Sequence, residues 1–265
     1  MAEPFIHLAG VKKIYRTRKA DFLAVSEVTF DVGAGELVAL VGPSGCGKTT
    51  LLKILAGLHP YDSGEVRIGS ASQPFDPARD IGMVFQQPLL LKWRRVIDNV
   101  LLPAEILGLP AAESRERARH LLALVGLQSA EDKYPYQLSG GMQQRAAIAR
   151  ALIHDPKLIL MDEPFGALDA QTRLMMQELL LRVWERSRTT VMFVTHDIDE
   201  ALFLADRIFI MTARPGRIKE NLVVDFARPR NYETIIFDER YITLKQRVLQ
   251  VIRGETLLAM KLEVE

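Results

Sequence analysis

The sequence predicts an α/β fold in which a phosphate-binding sheet is interrupted by a helical insert, and three observations carry that reading. A continuous apolar run at residues 37–41 leads into Gly42-Pro43-Ser44-Gly45-Cys46-Gly47-Lys48-Thr49 and then a helical stretch, the order strand, glycine loop, helix. From about residue 96 to 153 the apolar positions fall at helical spacing. After Pro156 strand-like and helix-like runs alternate again.

Taken in order, residues 6–15 and 23–32 read as strands, and Gly33-Ala34-Gly35 as a turn before the buried strand at 37–41. The helix after the glycine loop spans about 51–58. A turn at Asp62-Ser63-Gly64 precedes a strand at 65–68. In the middle, residues 113–125 set a charged face against Leu121, Leu122 and Val125, and residues 143–153 form a second helix. Then come a strand at 158–161, a helix at about 170–186, a strand at 190–195, a helix at 197–204 and a strand at 207–211. Turn signals at Pro215-Gly216 and Pro229 precede a last amphipathic helix near 241–252.

Composition excludes several classes. With 265 residues, 48% of them apolar and 25% charged, the chain is an ordinary globular one. A formal charge of +1 supplies no basic field for nucleic acid, which is not expected as a partner. The one cysteine, Cys46, rules out an intrachain disulfide and suits a reducing compartment. The first fifteen residues lack the apolar core of an export signal, and no window approaches the roughly 20 apolar residues of a membrane span. Work at a membrane would need a separate spanning subunit. The basic stretch Lys12, Lys13, Arg16, Arg18, Lys19 reads as a solvated strand edge. His7, His59, His120 and His154 show no metal-ligand spacing, and no Ser/His/Asp arrangement is suggested.

The chemistry-bearing residues form two groups. In the glycine loop, backbone N–H groups can turn inward around phosphate oxygens, Lys48 places a cation between terminal phosphates, and Thr49 offers magnesium a hydroxyl. The helix starting near Lys48 points its positive end at the same anion. Gly42, Gly45 and Gly47 do not fit the dinucleotide spacing G-x-G-x-x-G. Cys46, beside that helix start, is placed where its thiol pKa could fall, although a packing role weighs more. The second group, Asp162-Glu163, ends an apolar strand, where ligands bind in open α/β sheets. Asp162 can hold magnesium and Glu163 can orient and polarise an attacking water.

Between them, Leu138-Ser139-Gly140-Gly141-Met142-Gln143-Gln144-Arg145 resembles the signature of ABC ATPases. Ser139 can cap a helix whose start, with the N–H groups of Gly140 and Gly141, makes a second anion site. The resemblance covers about residues 5–211 and implies an ABC cassette: a P-loop NTPase with a RecA-like core, an antiparallel β subdomain and an α-helical signature subdomain. It implies ATP and Mg2+ as ligands, and head-to-tail pairing with a second cassette, identical or related, so that each signature completes the other's ATP site. Nucleotide contacts are then expected from Tyr15, Gly42, Pro43, Ser44, Gly45, Cys46, Gly47, Lys48, Thr49, Thr50, Ser139, Gly140, Gly141, Gln143 and Asp169. Tyr15 is similar to the adenine-stacking aromatic. Gln86, followed by a second glutamine at 87, is similar to the glutamine that senses magnesium and water. Phe165-Gly166-Ala167-Leu168-Asp169 is similar to the D-loop, and His196 to the switch histidine that contacts the γ-phosphate. Magnesium is expected on Thr49, Gln86 and Asp162, and catalysis from Glu163, His196 and Gln86.

Residues 89–100, with Trp93, and the tail segments Arg214-Pro215-Gly216-Arg217-Ile218 and Arg228-Pro229-Arg230 resemble the nitrate, sulfonate and taurine importer ATPases. Lys92 departs from the proline those relatives carry before the tryptophan. The expected organisation is a cassette over 1–211, with a helical subdomain at about 89–155, and an extension at 212–265. The implied activity is ATP hydrolysis that drives uptake of a small anion through a separate permease fed by a solute-binding protein. The implied place is the cytoplasmic face of the bacterial inner membrane, with residues 89–95 meeting the permease. A soluble ABC ATPase outside transport is the alternative; the coiled-coil inserts, zinc cysteines or tandem cassettes usual there are missing from this sequence.

Overall fold

A computed structural model describes residues 3–17, 20–69, 75–166 and 168–262. Arg18, Lys19 and Ala167 lie outside the described residues. The contacts divide into two units, one of Met1–Phe75 with Thr190–Glu265 and the other of Asp76–Thr189.

The first unit begins with β1 (Ile6–Arg16) and β2 (Asp21–Val32), an antiparallel pair whose inward residues include Ile6, Leu8, Val28 and Val32, all fully buried. β3 (Leu37–Val41) is buried at every residue, as its unbroken apolar run predicts. Then come α1 (Lys48–Leu55) and β4 (Ser63–Ile68), which pairs antiparallel with β1. The turn expected at 62–64 lies earlier, because Ser63 already pairs with Lys12 and the Asp62 carboxylate accepts the Ile14 N–H at 2.7 Å. The basic stretch is also not a bare solvated edge: Lys12 pairs with Glu27 at 3.3 Å, and Lys13, itself buried, with Asp62 at 3.7 Å.

In the second unit, α2 (Pro77–Asp80) leads into β5 (Ile81–Val84), followed by α3 (Val96–Ile106), α4 (Ala111–Leu124) and α5 (Gly140–Leu152). These three longer helices pack on one another, which is the helical subdomain the middle third predicts. β6 (Leu158–Asp162) pairs parallel with β5, and α6 (Ala170–Ser187) follows.

The chain re-enters the first unit at β7 (Thr190–Val194), followed by α7 (Ile198–Leu204), β8 (Arg207–Met211) and β9 (Ile218–Val223). β3 lies between β7 and β8, parallel to both, and β9 runs antiparallel on β8. α8 (Tyr232–Ile235) and α9 (Glu239–Leu262) complete the fold. α9 is twice the length expected and packs on α7. Among the described residues no helix is long and apolar enough to cross a membrane.

Candidate functional site

In the first unit the glycine loop joins the buried β3 to α1. Gly47 caps α1 in the left-handed region (φ 99°), and a Cβ there would lie 2.9 Å from the Ala24 carbonyl oxygen, so only glycine fits. The Lys48 ammonium lies within the loop, donating to the carbonyls of Gly42 at 2.7 Å and Pro43 at 2.9 Å. Tyr15 and Thr50 come together, hydroxyl to hydroxyl at 3.2 Å, and the Tyr15 ring stands edge-on to His59 with centroids 6.1 Å apart.

Cys46 departs from one expectation. It is 1% exposed, and burial pushes its thiol pKa up, outweighing the opposing pull of the Lys48 charge. The helix start therefore does not make it a ready thiolate.

His196 is exposed on the turn after β7, and that turn is pinned on both sides. Thr195 Oγ1 accepts the Asp197 N–H at 3.0 Å and donates to Glu200, while Asp197 caps α7 by accepting the Glu200 N–H at 3.1 Å.

The second unit gathers the other group. β5 and β6 run parallel, so the residues after β5 and at the end of β6 emerge on the same side. There Gln86 Nε2 donates to Glu163 Oε2 at 3.1 Å. Of the two adjacent glutamines it is Gln86 that makes this bond. Glu163 has φ 46°, a left-handed conformation costing a non-glycine residue about 1–3 kcal/mol, held by its surroundings. Asp162, half-buried, is the last residue of β6.

Ser139 caps α5, its Oγ accepting the Met142 N–H at 3.3 Å. The Gln143 amide turns back to the carbonyls of Pro135 at 3.0 Å and Leu138 at 3.3 Å, so within this chain it braces the loop before the signature. Asp169 caps α6, and the Thr172 N–H at 3.0 Å holds its carboxyl below the usual range. Two residues to which the sequence reading gave no separate role tie the signature helix to the Gln86 loop. Buried Gln144 donates to the Phe85 carbonyl at 3.1 Å, and Arg150 donates to the Pro88 and Leu89 carbonyls at 2.8 Å each. A glutamine on the alanine-rich buried face of α5 was the available signal.

Comparison with known proteins follows this geometry. The family model described as "ABC transporter" matches residues 25–166. This chain belongs to the ABC transporter ATP-binding family. The nitrate import ATP-binding protein of Synechococcus elongatus is 44% identical over 94% of this chain and 91% of the relative. The taurine import ATP-binding protein of Chromobacterium violaceum is 47% identical over 85% of this chain and 88% of the relative. Among solved structures, the ATP-binding cassette MJ0796, a dimer in a post-hydrolysis state bound to ADP and Pi, superposes with a TM-score of 0.74 at 34% identity. The match covers 84% of this chain and all of that one. The ABC cassette fold expected from the signature is therefore the fold present, with its antiparallel β subdomain (β1, β2, β4) and parallel core strands.

Proposed function

We propose that this chain is the ATP-hydrolysing subunit of an importer for a small anion such as nitrate, a sulfonate or taurine. The bond from Gln86 to Glu163 carries the reading, because it ties a carboxylate suited to act as a general base to a loop that can report its state. Glu163 orients and polarises the water that attacks the γ-phosphate in line, and Lys48 and His196 meet the phosphate charge that develops. Tyr15 takes the adenine. Ser139, Gly140 and Gly141 offer the N-terminus of α5, a 13-residue helix, to the ATP held by a second cassette.

Within the second unit Gln86 and Asp162 offer oxygen donors that suit magnesium, the Gln86 amide nitrogen being spent on Glu163 so that its oxygen is the end left for a cation, and Thr49 is the donor proposed from the glycine loop. The ion would neutralise charge on the transferring phosphoryl group. The importer assignment draws on the two import relatives, whose names give nitrate and taurine as cargo.

Residues 89–95 are the permease contact in this reading. Leu89 and Trp93 are exposed, Trp93 at 75%. Leu89 lines a cavity of about 310 Å³ that opens among Met83, Phe85, Leu102, Ile106 and His154. A permease helix seated there would move with the Gln86 loop, and ATP-driven closure of two cassettes would then open the permease outward.

The test is affinity purification of the chain from detergent-solubilised native membranes, with mass spectrometry of what copurifies. A polytopic permease together with a solute-binding protein is the expected result. Recovery only from the soluble fraction, with DNA or ribosomal partners, would overturn transport in favour of a soluble ABC ATPase.

A further inference from the structure

The tail segment after β8 lies against the phosphate loop. Thr212 closes it on itself, donating its N–H to the Arg217 carbonyl at 2.9 Å and its hydroxyl to the Pro215 carbonyl at 2.9 Å. The segment also pairs with β2, through Gly216 N–H to the Ala24 carbonyl at 3.0 Å and Ser26 N–H to the Gly216 carbonyl at 2.9 Å. It passes so close to the loop that a Cβ on Gly216 would stand 1.9 Å from the Cys46 carbonyl oxygen. Arg214 lies over the Phe22 ring at 5.2 Å and donates from Nε to the Gly45 carbonyl at 3.1 Å. A trans peptide points its C=O and N–H in opposite directions, so a cation holding the Gly45 oxygen sets where the Cys46 N–H points, here into the loop toward the Pro43 carbonyl at 3.4 Å. N–H groups of this loop are the ones that meet phosphate.

The segment is held from behind by α9. Buried Glu255 accepts the Ala213 N–H at 2.9 Å and pairs with Lys219 at 3.0 Å. Fourteen residues earlier, about 21 Å along the helix, α9 holds a second segment. Tyr241 donates to Asp199 at 2.8 Å and Lys245 pairs with the same carboxylate at 2.7 Å. Asp199 lies in the first turn of α7, three residues after His196. One helix thus fastens both the phosphate-loop brace and the turn that carries His196.

We infer that α9 is a positioning element for nucleotide in this unit, acting through Glu255 and Arg214 on the phosphate loop and through Asp199 on the His196 turn. The inference rests on the proposed ATP site. Arg214 is exposed, so Arg214→Ala keeps the fold and reports on the brace.

The test uses the full chain, with adenylyl imidodiphosphate binding measured by calorimetry beside steady-state ATPase kinetics. Arg214→Ala and Glu255→Gln should each raise the Kd about three- to tenfold, the first losing a charged hydrogen bond partly screened by solvent, the second the buried charge that pairs with Lys219 and strengthens the bond to the Ala213 N–H. Because they act through one connection, the double variant should bind no worse than the weaker single variant. Asp199→Asn should instead lower kcat with KM within about twofold. Unchanged Kd in both brace variants, or fully additive losses, would overturn the inference while leaving the site intact. A wild-type chain that fails to bind the analogue would overturn the ATP reading itself, and the inference with it.

Discussion

Gln86 Nε2 stands 3.1 Å from Glu163 Oε2, so the loop after β5 and the residue after β6 share one hydrogen bond. Glu163→Gln removes the basic carboxylate and keeps the shape. Turnover is expected to fall at least a hundredfold, in line with losing a general base, while ATP stays bound and two cassettes stay closed. Single-turnover assays and gel filtration with ATP check this. Turnover within tenfold of wild type would remove Glu163 from the role of base.

His154 lines the cavity beside the proposed permease contact. Burial, the main cause, pushes its pKa down, against a smaller pull from the Ile81 carbonyl, which accepts its Nε2–H at 3.1 Å. A lowered folded pKa means the unfolded chain takes the proton first. The stability present above about pH 6.5, the ordinary histidine value, is therefore lost as pH falls below it and through the folded value. His154→Gln should flatten that acid-side slope in urea unfolding between about pH 6.5 and 5; parallel curves for the two proteins would refute the assignment.

How much was legible in advance differs by element for physical reasons. β3 and β8 stand at the residues predicted, because strands buried on both faces read as unbroken apolar runs. α5 begins at Gly140, three residues before its periodicity shows, because the Ser139 cap offsets the poor helix propensity of two glycines. β9 gave no signal: Lys219, Glu220 and Asn221 leave a half-exposed edge strand without an apolar run. α9 runs ten residues past its expected end, through Gly254, which usually marks a stop.

The site shows the same division. Motif residues were legible, whereas the groups that hold them were not. Arg228 and Arg230 drew notice only as a resemblance in the tail. In the structure both guanidinium groups collect carbonyls at the end of α7, Arg228 from Leu204 at 2.8 Å and Arg230 from Ala205 at 2.8 Å. Contacts across more than twenty residues of sequence, such as these and Glu255 to Ala213, leave no local pattern.

Cys46 supplies a prediction on the alkaline side. With its thiol pKa pushed up by burial, it should resist iodoacetamide at neutral pH, and its rate should still be climbing above about pH 9, where an ordinary thiol levels off. Modification, once forced, places a bulky group inside the phosphate loop and should abolish nucleotide binding. A rate that levels off near the ordinary thiol value would show the burial argument to be wrong.

The last prediction concerns Asn99, fully buried in α3 and given no role of its own by the sequence. Its Oδ1 accepts the Leu91 N–H at 2.7 Å, and its Nδ2 donates to the carbonyls of Leu91, Arg94 and Arg95 at 3.0–3.1 Å. One side chain thereby holds Leu91, Arg94 and Arg95 of the proposed permease contact. Asn99→Leu is close in size but takes the partner from the Leu91 N–H and the Arg94 carbonyl, while the Leu91 and Arg95 carbonyls keep the Arg94 and Asn99 N–H groups, so it should cost about 2–3 kcal/mol of stability. ATP turnover by the isolated chain should stay within about twofold, because none of these bonds reaches Glu163, Lys48 or His196. Copurification with the permease should be lost, since Leu89 and Trp93 would no longer be presented in one arrangement. Membrane pulldown beside a thermal melt separates the two effects: a variant that melts lower yet recovers permease at wild-type yield would show that residues 89–95 are not the contact.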